Sequence, residues 1–408
     1  MRILLIASGY LPYTFSENLC NAKLVYALQE ESWEVDVISK QDEGPTYTAE
    51  WSEPWMCLKE HTYEIQYPLG NKLSRIYDFV LCSVQMGGFP LIGIRWARRA
   101  FRKALELHKI RHYDAIFTRS PNDISHIVGH RLSKKTKVKW IANWNDPAST
   151  IWPEPYTHQF SKSKYRMLNR YNHICLKNAT INTFPSQNLL AHFQSFYPFL
   201  KNQRTIVIPH IGLAENILPS SIYKKRDKIY FCHSGNLSFQ RNPENTFNAI
   251  KELIDEKSIH IQLDIMGHVN AYTLSLIKKY SLENHVYFTG SYSYIEALQK
   301  MQEYDVFVLI EAMMKEGIFF PSKFTDYAQL NKPILAISPS SGFANSILKE
   351  NGGGIAVSNE DYKDIKKGIE CLYHAWENNT INNIYNTQKL FSRMSTSKVV
   401  SCYKKMFE

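Results

Sequence analysis

The chain has 408 residues, 44% hydrophobic and 21% charged, with a formal net charge of +10. That length exceeds one ordinary core and suits two domains of typical size. No apolar run approaches the roughly 18 residues of a membrane span, and the seven scattered cysteines, with no C-x-x-C, exclude a disulfide framework and a zinc finger. The positive charge calls for an anionic partner. No RNP-like motif or basic-aromatic repeat supports nucleic acid, so phosphate and an anionic membrane surface remain.

Arg2 to Ala7 is a short apolar run that fits a buried parallel strand, and reads as a first strand rather than a signal peptide. Asn18 to Glu31 follows at helical spacing, and Trp33 to Ile38 alternates as a strand. Between the first strand and the helix stands Ser8-Gly9-Tyr10-Leu11-Pro12, not G-x-G-x-x-G. That argues against a nicotinamide or flavin cofactor.

Residues 91–109 form a basic amphipathic helix. Arg95, Arg98, Arg99, Arg102 and Lys103 share one face; Trp96, Ala97, Ala100, Phe101 and Ala104 lie largely on the other. The pattern fits a helix lying on anionic lipid, with Trp96 in the apolar layer, or an ordinary surface helix.

Further strands are expected at Tyr113–Thr118, Lys139–Asn143, Thr180–Phe184 and Thr205–Pro209. Intervening helical stretches point to an open, mostly parallel α/β sheet over residues 1–212. Residues 213–227 turn polar and Ser/Lys-rich and read as a linker. A second alternating series covers 228–385, with strands at Ile229–Ser234, His260–Met266, Val286–Phe288, Asp305–Ile310, Ile334–Ile337 and Ile355–Val357. The fold class is therefore α/β, two Rossmann-like doubly wound domains whose strand ends face a ligand cleft.

Several segments carry chemistry. After the strand Ile229–Ser234 come Gly235 and Asn236, a turn where backbone must approach something closely. Arg241 follows, and guanidinium matches phosphate oxygens. Ile265-Met266-Gly267 and Phe288-Thr289-Gly290-Ser291-Tyr292 are two further strand ends. In the stretch from Glu316 to Ile337, Ser322 is a candidate helix N-cap, Lys323 adds a charge, and Asp326 falls in the first turns. Such a helix start suits a phosphate, and Asp326 suits sugar hydroxyls.

In the first half, Asp146 ends the segment Trp140 to Asp146, where a carboxylate suits an acceptor hydroxyl or its proton; the other reading is an Asx turn before Pro147. His126 ends Ser120 to His126, where it serves either a sugar hydroxyl or packing. No H-x-x-x-H pairing and no D-x-D at a strand end occur, so neither a catalytic metal nor an organic cofactor is expected.

These segments resemble the retaining two-Rossmann (GT-B) glycosyltransferases of family 4, of the kind that builds bacterial surface polysaccharide. PSKFTDY and NKPILA are similar to the subgroup pattern "PSKLFEY…GKPILA", SGNL and RNP to "GNL…RNP", and WIANWNDP to "W-I-A-D-F-R-D-P-W". The resemblance implies a nucleotide-sugar donor, commonly a UDP-sugar, and a glycan or lipid-linked glycan acceptor at the cytoplasmic face of the membrane. It places Gly235, Asn236, Arg241, Gly267, Tyr292, Ser322, Lys323 and Asp326 around the donor and Glu316, Asp146 and His126 at the reacting sugar. It also implies that residues 386–408 cross back onto the first, acceptor-side domain. Asp326 stands where the family has its second glutamate; Glu316 matches the first only with two residues inserted. Thr246 replaces a family lysine, for which Lys323 would substitute. The alternatives are a hydrolysing epimerase, a phosphorylase, and a non-catalytic subunit that binds a glycan or a protein.

Overall fold

The structure is a computed structural model that describes residues 1–41, 50–66, 71–120, 123–218 and 225–408. It contains two compact units. One comprises residues 1–152, 156–209 and 402–408, the other 153–155 and 210–401.

The first unit is built from β1 (Arg2–Ala7), α1 (Ser16–Glu30), β2 (Glu34–Lys40), β3 (Thr62–Ile65), α2 (Lys72–Gln85), α3 (Ile94–Arg111), β4 (Ala115–Arg119), α4 (Ile124–Thr136), β5 (Lys139–Asn143), α5 (Lys162–Asn178), β6 (Ile181–Phe184), α6 (Gln187–Phe196) and β7 (Thr205–Val207). Its seven strands pair in parallel in the order β3-β2-β1-β4-β5-β6-β7. β1 is central and almost wholly buried, which is why it reads as an unbroken apolar run. The edge strand β3 and the helix α2 were not expected from the sequence. β3 is short and half-buried, so it carries little of the apolar signal of a central strand.

The second unit contains β8 (Ile229–Ser234), α7 (Glu244–Lys257), β9 (Ile261–Met266), α8 (Ala271–Lys279), β10 (Val286–Phe288), α9 (Tyr294–Met301), β11 (Val306–Ile310), α10 (Lys323–Gln329), β12 (Ile334–Ser338), α11 (Phe343–Asn351), β13 (Gly354–Ser358), α12 (Tyr362–Glu377) and the short helices α13 (Ile381–Ile384) and α14 (Gln388–Phe391). Its six strands, again parallel, run in the order β10-β9-β8-β11-β12-β13. The sequence placed all six. The order reverses beside β8, so the loops after β8 and β11 stand at the switch point, where ligands of such sheets bind.

The expected linker lies partly outside the described residues, at 219–224. Its first residue is fixed in the second unit: the Leu213 amide donates to Gln329 Oε1 (2.8 Å), and Gln329 Nε2 donates back to the Leu213 carbonyl (2.6 Å). The terminal helix α15 (Thr396–Lys404) ends in the first unit, where Tyr403 stacks on Phe117 at 5.5 Å and Phe407 meets Trp33 edge-on at 5.9 Å.

The lipid-facing reading of α3 is overturned. Trp96, Ala97 and Ala100 have no exposed surface, and the Trp96 indole donates to the Ser39 carbonyl at 3.2 Å. That face is core, packed on the sheet. Of the basic face, Arg95 pairs with Asp78 at 2.5 Å, Arg99 approaches the same carboxylate at 3.5 Å, and Arg98 donates to Gln85. Lys103 pairs with Glu106, and Arg102 stays exposed. Trp96→Ala is therefore expected to cost about 3–5 kcal/mol, as for a large core side chain. Urea unfolding measures it; a loss near zero would return Trp96 to the surface.

Candidate functional site

The loops at the switch point of the second sheet are laced together by glycines. At the end of β8, Gly235 has φ +123°, and a Cβ there would lie 2.7 Å from Lys323 Nζ. At the end of β9, a Cβ on Gly267 would lie 2.6 Å from the Gly235 carbonyl oxygen. Both positions therefore require glycine, one for conformation and contact, the other for contact alone. Asn236 ties the two turns together, accepting from the His268 amide through Oδ1 at 2.8 Å.

Helix α10 brings Lys323 to this turn. Ser322 precedes it in an αR conformation and makes no side-chain cap, so the capping reading is corrected. The first turn closes instead through Thr325, whose hydroxyl donates to the Ser322 carbonyl at 2.8 Å. What fixes the helix is Tyr327. Its hydroxyl accepts from the Ser234 amide (2.9 Å) and donates to the Val308 carbonyl (3.3 Å), while its ring stacks on Phe307 at 4.7 Å. One side chain thus clamps α10 to β8 and β11 together.

The result is a concentration of charge. Lys323 is half-buried, and burial together with the Arg241 guanidinium lowers its ammonium to about 7. Arg241 is exposed on the loop before α7, its amide donating to Ser238 Oγ at 3.2 Å. The acid facing both cations is Glu311, immediately after β11. It is 7% exposed, and burial raises its carboxyl to about 7 even though Arg241 and Lys323 pull it down. His233, beneath the same turn, is held neutral by burial and by the two cations, with Nδ1 3.0 Å from the Val308 carbonyl.

Glu311 is the residue that sequence reasoning missed. The signal was available: an acid directly after five apolar strand residues, Val306 to Ile310. Glu316 lies five residues further on and is exposed. Asp326 lies in the first turn of α10, where its Oδ1 accepts from Tyr294 Oη at 2.7 Å and its charge acts on Lys323. Tyr292 is half-buried, its hydroxyl donating to the Thr289 carbonyl at 2.6 Å. Thr246 is 2% exposed with an unpartnered hydroxyl inside the fold, so α7 offers no side chain there in place of a lysine.

In the first unit, the ends of β4 and β5 gather acids. Glu17 at the start of α1 accepts from Asn145 and sits 3.6 Å from Arg119. Burial, reinforced by Asp146, raises it to about 8 despite that arginine. Asp123, whose carboxylate accepts from the Ser149 amide at 3.1 Å, is raised to about 6, again by burial with help from Asp146. Asp146 itself is half-buried between these two influences. His126 is not available to a substrate. It has no exposed surface, packs on Trp144 at 4.1 Å, bonds Thr118 Oγ1 through Nδ1 at 2.8 Å, and is pushed by burial to about 3. Its catalytic reading is corrected to packing. Beside Asp123 opens a mainly apolar cavity of about 330 Å³, lined by Leu91, Ile124, Pro147, Trp152 and Met167, with Lys164 on its wall. Among the described residues no cluster of three His, Cys, Asp or Glu is arranged to hold a metal ion.

Residues 216–389 match the family model described as glycosyl transferases group 1, a stretch that lies within the second unit. Among solved structures, the chain is similar to sucrose-phosphate synthase of Thermosynechococcus elongatus, with TM-score 0.70 and 15% identity over 100% of this chain and 99% of that one. It is similar to Anabaena HepE in complex with UDP, with TM-score 0.67 and 14% identity over 100% and 99%. It is also similar to an S. aureus TarM variant in complex with fondaparinux, alpha-GlcNAc-glycerol and UDP, with TM-score 0.65 and 10% identity over 100% of both chains. A search of curated proteins by sequence finds no significant match. At these identities the likeness establishes the fold, two Rossmann-like units of the GT-B type.

The raised carboxyl of Glu311 makes stability depend on pH with a definite sign. The folded state holds the proton up to about 7, whereas an unfolded glutamate releases it near 4.3. Stability is therefore lost as pH rises through that window. Glu311→Gln removes the effect. Relative to the variant, the wild type should lose on the order of 2–3 kcal/mol between pH 5 and pH 8. Urea unfolding at both values tests this, and a parallel pH dependence for the two proteins would contradict it.

Proposed function

We propose that the chain is a retaining glycosyltransferase that moves a sugar from a nucleotide-sugar, of the UDP-sugar class, to a glycan or lipid-linked glycan hydroxyl. The observation that carries this reading is the pairing of Arg241 and Lys323 at the switch point of the second sheet, inside the stretch that matches the group 1 glycosyl transferases. HepE and TarM, which share the fold, are seen with UDP.

In this reading the donor diphosphate lies against the Gly235 turn, between the two cations. The bond from the anomeric carbon to the diphosphate oxygen breaks, and negative charge grows on the leaving group. Arg241 and Lys323 neutralise it, a stabilisation realised mainly as the bond breaks. Asp326 holds the ribose hydroxyls; a carboxylate that accepts one bond from Tyr294 retains further acceptor positions. Glu316, exposed on the loop before α10, takes hydroxyls of the transferred sugar. The acceptor oxygen attacks from the face the diphosphate leaves, and its proton passes to a diphosphate oxygen. No protein nucleophile is needed, and the configuration is retained. On the acceptor side, Asp146 aligns the attacking hydroxyl and the cavity beside Asp123 takes the apolar part of the acceptor.

A donor panel of UDP-, GDP- and ADP-sugars, incubated with lipid-linked glycan extract and followed by nucleotide release and product NMR, tests the proposal. Acceptor-dependent release with retained anomeric configuration is expected. Release of free sugar without acceptor would replace it with hydrolysis, and binding without turnover would replace it with a glycan-binding subunit. Arg241→Ala should weaken UDP affinity by about 1.5–3 kcal/mol, the worth of a charged hydrogen bond; unchanged affinity in calorimetry would remove its phosphate role. UDP affinity should also fall as pH rises from 6 to 9. Lys323 loses its charge above about 7 and Glu311 gains one there, so binding at high pH must be accompanied by proton uptake.

A further inference from the structure

Helix α2 turns an apolar stripe outward. Leu73, Ile76, Tyr77, Val80 and Val84 fall within one stripe at helical spacing, and they are 80, 63, 72, 54 and 68% exposed. The face turned to the protein is mixed, with Cys82 and Ser83 buried and Asp78, Phe79 and Leu81 half-buried. There Asp78 receives Arg95 and Arg99 of α3, and the Cys82 thiol donates to the same carboxylate at 3.4 Å. A surface helix of a globular protein normally turns its apolar stripe inward. Ile92, in the connection to α3, adds another apolar side chain at 85% exposure. Five large apolar side chains on one exposed helix face are more than the scattered apolar residues any surface shows.

The charge around this stripe says what covers it. From residue 72 to residue 106 the chain has seven cations (Lys72, Arg75, Arg95, Arg98, Arg99, Arg102 and Lys103) and two acids, Asp78 and Glu106. The local net charge is therefore 7 − 2 = +5, half of the +10 of the whole chain. Both acids are already paired, Asp78 with Arg95 and Arg99 and Glu106 with Lys103. A second copy of this surface would bring like charges together. An anionic bilayer offers both what the stripe lacks, an apolar layer, and what the cations lack, a counter-charge.

We propose that α2 is a membrane-docking helix, which lays its Leu73-Val84 stripe into the interfacial layer of an anionic lipid bilayer while α3 braces it from beneath through Asp78. The docking element is thus α2, and the arginines of α3 orient it and supply charge. The inference stands apart from glycosyl transfer, because no residue of the stripe belongs to the donor or acceptor machinery.

The test is co-sedimentation of the full chain with phosphatidylcholine vesicles, with and without phosphatidylglycerol. The wild type should bind the anionic vesicles and release at high salt. The triple variant Leu73→Ser, Ile76→Ser, Val80→Ser changes only exposed positions and should lose at least about tenfold in partitioning, with UDP affinity unaltered. Lys72→Glu with Arg75→Glu should also weaken binding to anionic vesicles. The proposal is overturned if the wild type stays in the supernatant with anionic vesicles at low salt, or if the triple variant binds as well as the wild type. Analytical ultracentrifugation supplies the rival outcome. A wild-type dimer that the serine variant makes monomeric, with no vesicle binding by either, would assign the stripe to a second copy and end the lipid reading.

Discussion

A lysine pressed against glycine backbone governs the second unit. Lys323 reaches the Gly235 turn only because that residue has no Cβ, and Gly267, also without a Cβ, can lie against the Gly235 carbonyl. Burial there disfavours the charged ammonium, and Arg241 disfavours it further. Glu311 opposes both effects but is itself buried, so its own charge is resisted. Lys323 and Glu311 thus stand near their midpoints at neutral pH. Without an anion the site is short of full charge. Under the proposed function, an incoming diphosphate would favour the protonated lysine and the neutral acid together, and the ligand would then offset the desolvation of the cations.

That arrangement needs a rigid support, and Tyr327 supplies it. Its hydroxyl spans the amide at the end of β8 and a carbonyl of β11, two neighbouring strands at the switch point. The ring is stacked and fully buried, so the clamp has little freedom. Because α10 has only seven residues, its own backbone hydrogen bonds give it little independent stability. Its position is imposed from the sheet, and with it the positions of Lys323 and Asp326.

What the sequence disclosed follows from where the physical signal is local. The central strands could be read because a strand buried on both faces is an unbroken apolar run, as β1 and β11 are. Gly235 and Gly267 could be read because strand ends that turn tightly need glycine. Other features depend on partners far along the chain. His126 looked available because its neighbours in sequence are polar; Trp144 and Thr118, which enclose it, arrive from β5 and β4. Ser322 had the composition of a cap, but the first turn was already closed by Thr325. The basic face of α3 was visible, whereas its role was not. Whether an arginine faces lipid or a buried-side aspartate depends on Asp78, 17 residues before Arg95. Glu311 is locally just one acid at a strand end; only the fold sets it against Arg241 and Lys323.

The two units differ in the sign of the charge at their strand ends, and that difference bears on which substrate each can hold. The second concentrates Arg241 and Lys323 around one half-ionised acid. The first concentrates Glu17, Asp123 and Asp146 around one paired arginine, Arg119. Burial drives Glu17 and Asp123 upward, and the like charge of Asp146 adds to that rise while Arg119 and the Ser149 amide oppose it. A diphosphate brought to the first unit would meet that repulsion, and a neutral hydroxyl would not. A hydroxyl finds carboxylate acceptors there and, beside Asp123, an apolar cavity for whatever the hydroxyl is attached to. Under the proposed function, charge then separates the roles: the anionic donor would go to the unit with Arg241 and Lys323, and the neutral nucleophile to the unit with surplus acids.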